Sequence, residues 1–125
     1  MHISFDLDGT ICDSRDSIEK SLIGAFELNS LKVKKKIKIG PPLNKILDIH
    51  VGKDCLLKSK IQSDFIKIYD NQYAVKASIY PGIKKLLQKF KKKNYKLTIV
   101  TNKRKIPAIR ILSKMKLINY FDIIL

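Results

Sequence analysis

The last third of the chain changes hydrophobic period in an order that few folds accept. Ile83, Leu86, Leu87 and Phe90 recur at helical spacing, and Tyr95 to Val100 (Tyr-Lys-Leu-Thr-Ile-Val) is an apolar run of strand length. Ile106 to Met115 returns to the helical period, and Phe121 to Leu125 begins another strand. Helix, strand, helix, strand implies parallel strands joined by right-handed crossovers, hence an α/β fold. Tyr80-Pro81-Gly82 punctuates the chain before the first of these helices, with Pro81 at a favoured position near a helix start. Lys91 to Lys93 fall at its C-terminal end, where cations complement the helix dipole, and Asn94 offers the stop. In sheets of this kind ligands gather outside the carboxyl ends of the strands.

The beginning of the chain supplies the remaining strand. Residues 1 to 6 (Met-His-Ile-Ser-Phe-Asp) read as a short strand that delivers Asp6 to its C-terminal end. Asp8-Gly9-Thr10 is turn chemistry. A helix is predicted from Asp13, capped by Ser14 or Asp13, with Ile18, Leu22, Ala25 and Phe26 on one face. From Leu31 to Ile39, Val33, Ile37 and Ile39 alternate with lysines, which suits a strand or an exposed connector. Gly40-Pro41-Pro42 breaks any regular element, Leu43 to Ile49 suits a short helix, and residues 54–74 suit a long one. Leu57, Ile61, Phe65 and Ile68 stripe that long helix as a packing face. Asp6, Asp8 and Thr101 thus fall at one edge of the predicted sheet.

Composition narrows the function classes. A chain of 125 residues with 45% hydrophobic content can build one core with a modest insertion, and disorder is not the expected state. The formal charge of +15 invites a nucleic-acid reading. Yet Arg15, Arg104 and Arg110 are the only arginines among the 26 basic residues, and readers of phosphate geometry favour the planar arginine fork. The lysines are spread over predicted helix faces and loops, so nucleic acid is not the expected partner. No apolar run approaches the roughly 18 to 20 residues of a membrane span, and Asp6 and Asp8 interrupt the start too early for a signal peptide. Cys12 and Cys55 are isolated and lack metal-ligand spacing, as expected of reduced thiols in a cytoplasmic protein.

A carboxylate at a strand end is a fixed nucleophile, and a second one two residues later can protonate a leaving oxygen and then deprotonate water. Gly9 lets the intervening backbone turn its amides toward an anion. A hard cation such as Mg²⁺ would offset repulsion between carboxylate and phosphate. An Asp-x-Asp pair alone, however, is equally open to a turn-and-cap explanation. The wider pattern is more specific. Phe-Asp-Leu-Asp-Gly-Thr-Ile-Cys-Asp-Ser (5–14) resembles the first motif of the haloacid dehalogenase superfamily, phosphatase branch. Tyr80-Pro81-Gly82 followed by Tyr95 to Lys103 resembles the approach to that family's second motif, and Ile39-Gly-Pro-Pro-Leu43 resembles a loop of its phosphoglycolate-phosphatase-like members.

The resemblance implies a partial Rossmann-like core from residues 1–13 and 80–125, with a helical cap inserted at 14–79 that carries the Gly40, Pro41, Pro42 loop and gates access to Asp6. It implies that Asp6 attacks phosphorus to form an aspartyl-phosphate. Asp8 protonates the leaving alcohol and then activates water. Mg²⁺ would lie against the Asp6 carboxylate and the Asp8 backbone carbonyl. Thr101 corresponds to the hydroxyl that holds the phosphoryl group, with Gly9, Thr10 and Asn102 supplying further contacts. An aspartate at position 8 favours phosphate esters over the dehalogenase and phosphonatase branches. The implied substrate is a small phosphomonoester, such as phosphoglycolate or a nucleotide 5′-phosphate. The family's later lysine and acidic metal-binding loop have no counterpart here, as in a truncated chain, and Lys103 reads as an exposed helix-start lysine rather than a replacement. Little turnover by the chain alone is therefore expected. Residues 1–6 would form an open sheet edge, inviting a second chain to complete the sheet or self-association. The competing reading is a catalytically inactive remnant or an interaction protein.

Overall fold

The computed structural model describes residues 1–33 and 35–125. The chain divides into two compact units, one formed by Met1–Ser14 with Val75–Leu125 and the other by Arg15–Ala74. The first is a small parallel α/β unit. Strands β1 (His2–Phe5), β4 (Lys96–Ile99) and β5 (Ile123–Ile124) lie in the order β1-β4-β5, all parallel, as the helix–strand alternation requires. Helix α4 (Ile83–Lys92) leads into β4, and α5 (Lys105–Lys114) connects β4 to β5. Asn94 ends the α4 segment at φ 58°, the left-handed conformation that asparagine tolerates better than most residues.

Pairing of β1 with β4 is in register from His2 opposite Lys96 to Phe5 opposite Ile99, and the Val100 N–H closes the ladder on the Phe5 carbonyl at 2.8 Å. The very short β5 is fastened by Asp122. Its N–H donates to the Leu97 carbonyl at 2.8 Å, and its carboxylate accepts the Leu97 N–H at 2.9 Å. Leu97 and Ile99 of the central strand are fully buried, with Leu87 from α4 and Ala108, Ile111 and Leu112 from α5. Phe5 meets Phe90 and Phe121 at ring-centroid distances of 6.3 and 6.2 Å. Leu86, expected on the buried stripe of α4, remains 37% exposed. Strand β1 stands at the edge of this sheet.

A second ladder was not foreseen in the sequence. Strands β2 (Cys12–Asp13) and β3 (Ser78–Ile79) pair antiparallel, and the Tyr80 N–H donates to the Ile11 carbonyl at 3.0 Å. This pairing draws residues 75–79 into the α/β unit, whereas the sequence reading assigned them to the insertion.

The other unit is helical. Helices α1 (Arg15–Leu28), α2 (Leu43–His50) and α3 (Cys55–Ile68) enclose Leu22, Ala25, Phe26, Ile46, Leu47 and Ile61. Asp54 caps α3 by accepting the Leu57 N–H at 3.0 Å. The long helix expected to reach residue 74 does continue, but it changes pitch, through a π-helical turn at Tyr69–Tyr73 and a 3₁₀ turn at Ala74–Lys76. In the ambiguous connector the described residues form no strand, yet Ile37 is buried in the core. Lys34 lies outside the described residues. No described helix is long and apolar enough to cross a membrane.

Helices α1 and α3 are also tied by a polar clamp. Asn29 Nδ2 bridges the Ala25 carbonyl at 2.8 Å and Asp64 Oδ2 at 2.9 Å, while Lys60 Nζ reaches the same carboxylate oxygen at 2.7 Å. The Lys60 hydrogen bond, then that of Asn29, holds the Asp64 carboxyl below its ordinary value. A lowered native value means that the clamp's contribution is complete above about pH 5 and lost as pH falls through the native value. Asp64→Ala is expected to cost about 1–2 kcal/mol at neutral pH. Urea unfolding at a series of pH values should also show a shallower acid limb for this variant than for the parent.

Candidate active site

Parallel pairing brings two strand ends to one edge. Asp6 follows β1 immediately, and Thr101 stands two residues beyond Ile99 of β4. The Thr101 N–H points to the Leu125 carbonyl at 3.4 Å, so the end of β5 meets the same edge. Asp6 is exposed, and its Oδ1 accepts the Leu7 N–H at 2.7 Å.

Between Leu7 and Cys12 the chain folds onto one carbonyl. The amides of Thr10, Ile11 and Cys12 all donate to the Leu7 oxygen, at 3.3, 2.9 and 3.2 Å, while the Gly9 N–H donates to the Cys12 carbonyl at 2.8 Å. Leu7, Ile11 and Cys12 are fully buried beneath this turn. Gly9 has φ +82°, where a Cβ is strained whatever the surrounding space. Asp8 lies within this turn, with its side chain half-buried.

Both carboxylate oxygens of Asp8 are engaged. Oδ1 accepts a short hydrogen bond from the buried Ser14 hydroxyl, and Oδ2 forms an ion pair with Lys103 Nζ at 3.1 Å. The Lys103 side chain is only 8% exposed, against 34% for Asp8. The expectation of an exposed helix-start lysine is therefore corrected. Lys103 precedes α5, and a partner carboxylate from the opposite loop turns its ammonium inward. The Lys103 N–H also donates to Thr101 Oγ1 at 3.1 Å. That bond uses the acceptor side of the Thr101 hydroxyl and leaves its proton available to donate.

Asp6, Asp8 and Thr101 thus emerge at one edge, with Ser14 and Lys103 holding Asp8. Gly9, Thr10 and Asn102 are exposed on the same two loops. Gly40, Pro41 and Pro42 belong to the helical unit, where they are exposed and lead into α2. Ser14 was foreseen only as a helix cap. The clue to Lys103 lay in its position two residues after Thr101, on the loop facing the paired aspartates. The site's charge is also set in contrast to its surroundings, since no Asp or Glu occurs from Val75 to Phe121.

Among the described residues no group of three or more His, Cys, Asp or Glu side chains is arranged to hold a metal ion. The exposed Asp6 carboxylate and the Asp8 backbone carbonyl still offer two hard oxygen donors. This fits Mg²⁺, which commonly takes one or two protein carboxylates and completes its shell with water and substrate phosphate.

The model of the haloacid dehalogenase-like hydrolase family matches residues 3–125. The chain belongs to this family. A phosphoglycolate phosphatase of Aquifex aeolicus is 33% identical to it over 98% of the chain and 58% of that relative, and one of Neisseria gonorrhoeae is 29% identical over 98% and 56%. The chain therefore spans somewhat more than half the length of the curated relatives it matches. Among solved structures, a haloacid dehalogenase-like hydrolase from Streptococcus pneumoniae superimposes with a TM-score of 0.86 at 26% identity, over 98% of this chain and 59% of that one. A predicted phosphatase from Clostridium acetobutylicum gives 0.82 at 27% identity, over 98% and 59%.

Burial, reinforced by the Asp8 carboxylate, pushes the Cys12 thiol up to about 12, whereas Cys55 is exposed. A thiol reagent at neutral pH is therefore expected to modify Cys55 rapidly and Cys12 only after unfolding, as read by mass spectrometry of the labelled peptides. Gly9→Ala should lose about 1–2 kcal/mol of stability in chemical denaturation.

Proposed function

We propose that this site carries out phosphoryl transfer from a small phosphomonoester through an aspartyl-phosphate on Asp6. The observation that carries the reading is the placement of an exposed strand-end carboxylate beside a second carboxylate whose orientation is fixed by Ser14 and Lys103. In the first step an Asp6 oxygen forms a bond to phosphorus as the bond to the ester oxygen breaks. Asp8, entering the step protonated, gives that proton to the departing oxygen and is left as the carboxylate that pairs with Lys103. In the second, Asp8 takes a proton from water, whose oxygen attacks phosphorus and releases Asp6 and inorganic phosphate. The Thr101 hydroxyl, with its acceptor side occupied, donates to a phosphoryl oxygen while charge redistributes. Asn102 lies on the same edge, whereas the Gly9 and Thr10 amides, expected to face the anion, are already donated to the Cys12 and Leu7 carbonyls, which leaves the exposed Thr10 side chain as that loop's contact.

Mg²⁺ fits this reading as a counter-charge for the phosphoryl oxygens, with the Asp6 carboxylate and Asp8 carbonyl as its protein ligands. Relatives called phosphoglycolate phosphatases support a small phosphorylated metabolite as substrate. The helical unit would act as the cap, including the Gly40-Pro41-Pro42 loop, and free thiols at Cys12 and Cys55 suit a cytoplasmic setting. The edge position of β1 leaves its outer backbone groups open to pairing with a further strand.

Mixing the 125-residue protein with an aryl phosphate and Mg²⁺, quenching in the cold, and mapping the hydroxylamine-sensitive acyl-phosphate label tests the reading directly. An aryl leaving group needs little protonation, so Asp8→Asn should accumulate phosphate on Asp6. Asp6→Asn should show none, and chelation of the metal should suppress the label. Steady-state turnover by these residues alone is expected to be slow. Absence of label on Asp6 in both the parent and Asp8→Asn would falsify the proposal.

A further inference from the structure

The Lys103–Asp8 pair joins two loops that are far apart in sequence, and it buries an ammonium that composition would place in solvent. Lysine loses considerable side-chain freedom and hydration on burial, so such a placement needs a compensating partner. Asp8 Oδ2 is that partner at 3.1 Å, and Ser14 holds the other oxygen. The two contacts approach from different segments, one from the end of β2 and one from the β4–α5 loop. Together they restrict rotation of the carboxylate about its side-chain bonds more than either could alone. The Lys103 amide is itself fixed to Thr101 Oγ1, so the loop that carries the ammonium is tied to the proposed phosphoryl-binding hydroxyl.

We propose that Lys103 is a positioning residue for Asp8, acting on phosphoryl transfer by fixing the orientation of the acid–base carboxylate. The proposal deepens the phosphoryl-transfer reading and rests on it. Lys103 acts through its contact with Asp8, and its positive charge also lessens the repulsion that two neighbouring carboxylates present to an arriving phosphate. The second step depends most on this orientation, because the carboxylate must then meet a water molecule in line with the phosphorus. The first step, with an aryl leaving group, depends on it least.

The test follows phosphate on Asp6 through time in the 125-residue protein, with an aryl phosphate as donor. Lys103→Met should slow breakdown of the phosphoenzyme by about tenfold or more, within the span that acid–base groups contribute. The donor concentration giving half-maximal labelling should change less than about twofold, since uniform binding is not what the pair supplies. Lys103→Arg, which keeps the charge, should recover much of the rate. Combining Lys103→Met with Asp8→Asn should be no slower than Asp8→Asn alone, because a residue acting through a carboxylate has nothing left to act on once it is gone. Circular dichroism and thermal unfolding establish that each variant is folded, with Lys103→Gln as a second neutral replacement if Lys103→Met does not fold. Breakdown unchanged in a folded neutral variant overturns the role of Lys103 while leaving the Asp6 reading intact. So does a rise in half-maximal concentration with breakdown unaltered, which would make the lysine a substrate ligand. Failure of the parent and Asp8→Asn proteins to label at all would instead defeat the phosphoryl-transfer reading, and this role with it.

Discussion

Parallel pairing of β1 with β4 is the interaction on which the rest of the α/β unit depends. Because the strands run the same way and Phe5 stands opposite Ile99, the residues that follow each strand leave the sheet side by side. An antiparallel pairing of the same strands would send Asp6 and Thr101 to opposite edges. The crossover through α4 and the buried central strand enforce the parallel arrangement, and the aromatic contacts of Phe5 with Phe90 and Phe121 hold the end nearest Asp6. The chemistry of the edge is therefore a consequence of strand direction before it is a consequence of any side chain.

What the sequence disclosed followed from periodicity. The segments with a sustained period, α4, β4, α5 and α2, lie within a few residues of where their spacing puts them. The end of the long helix was less legible, since Tyr69 to Tyr73 keep a helical pattern while the backbone takes a wider turn. The β2–β3 ladder could not be read at all, because two residues are too few to display alternation. Its pairing depends on the turn at Leu7 to Cys12 and on the return of the chain at Tyr80.

The site was legible to a different depth. Asp6, Asp8 and Thr101 announce themselves by residue type and by position after strands. Lys103 did not, because a lysine's burial is decided by a partner that only the folded chain brings near. In a sequence so rich in lysine, its place two residues after Thr101 was the one mark that set it apart. Ser14 was obscured in the same way, since a serine before a helix already has an adequate local explanation. The identity of catalytic groups is thus carried by motif, whereas the groups that orient them are carried by tertiary contact.

The turn on the Leu7 carbonyl has a consequence for recognition. Three amides of this loop are satisfied by one oxygen of the loop itself, over a floor of buried Leu7, Ile11 and Cys12. Such a segment holds its shape before any ligand arrives. A molecule that binds there meets a surface already ordered, and its affinity is not diminished by the conformational entropy that a floppy phosphate loop would surrender on closing.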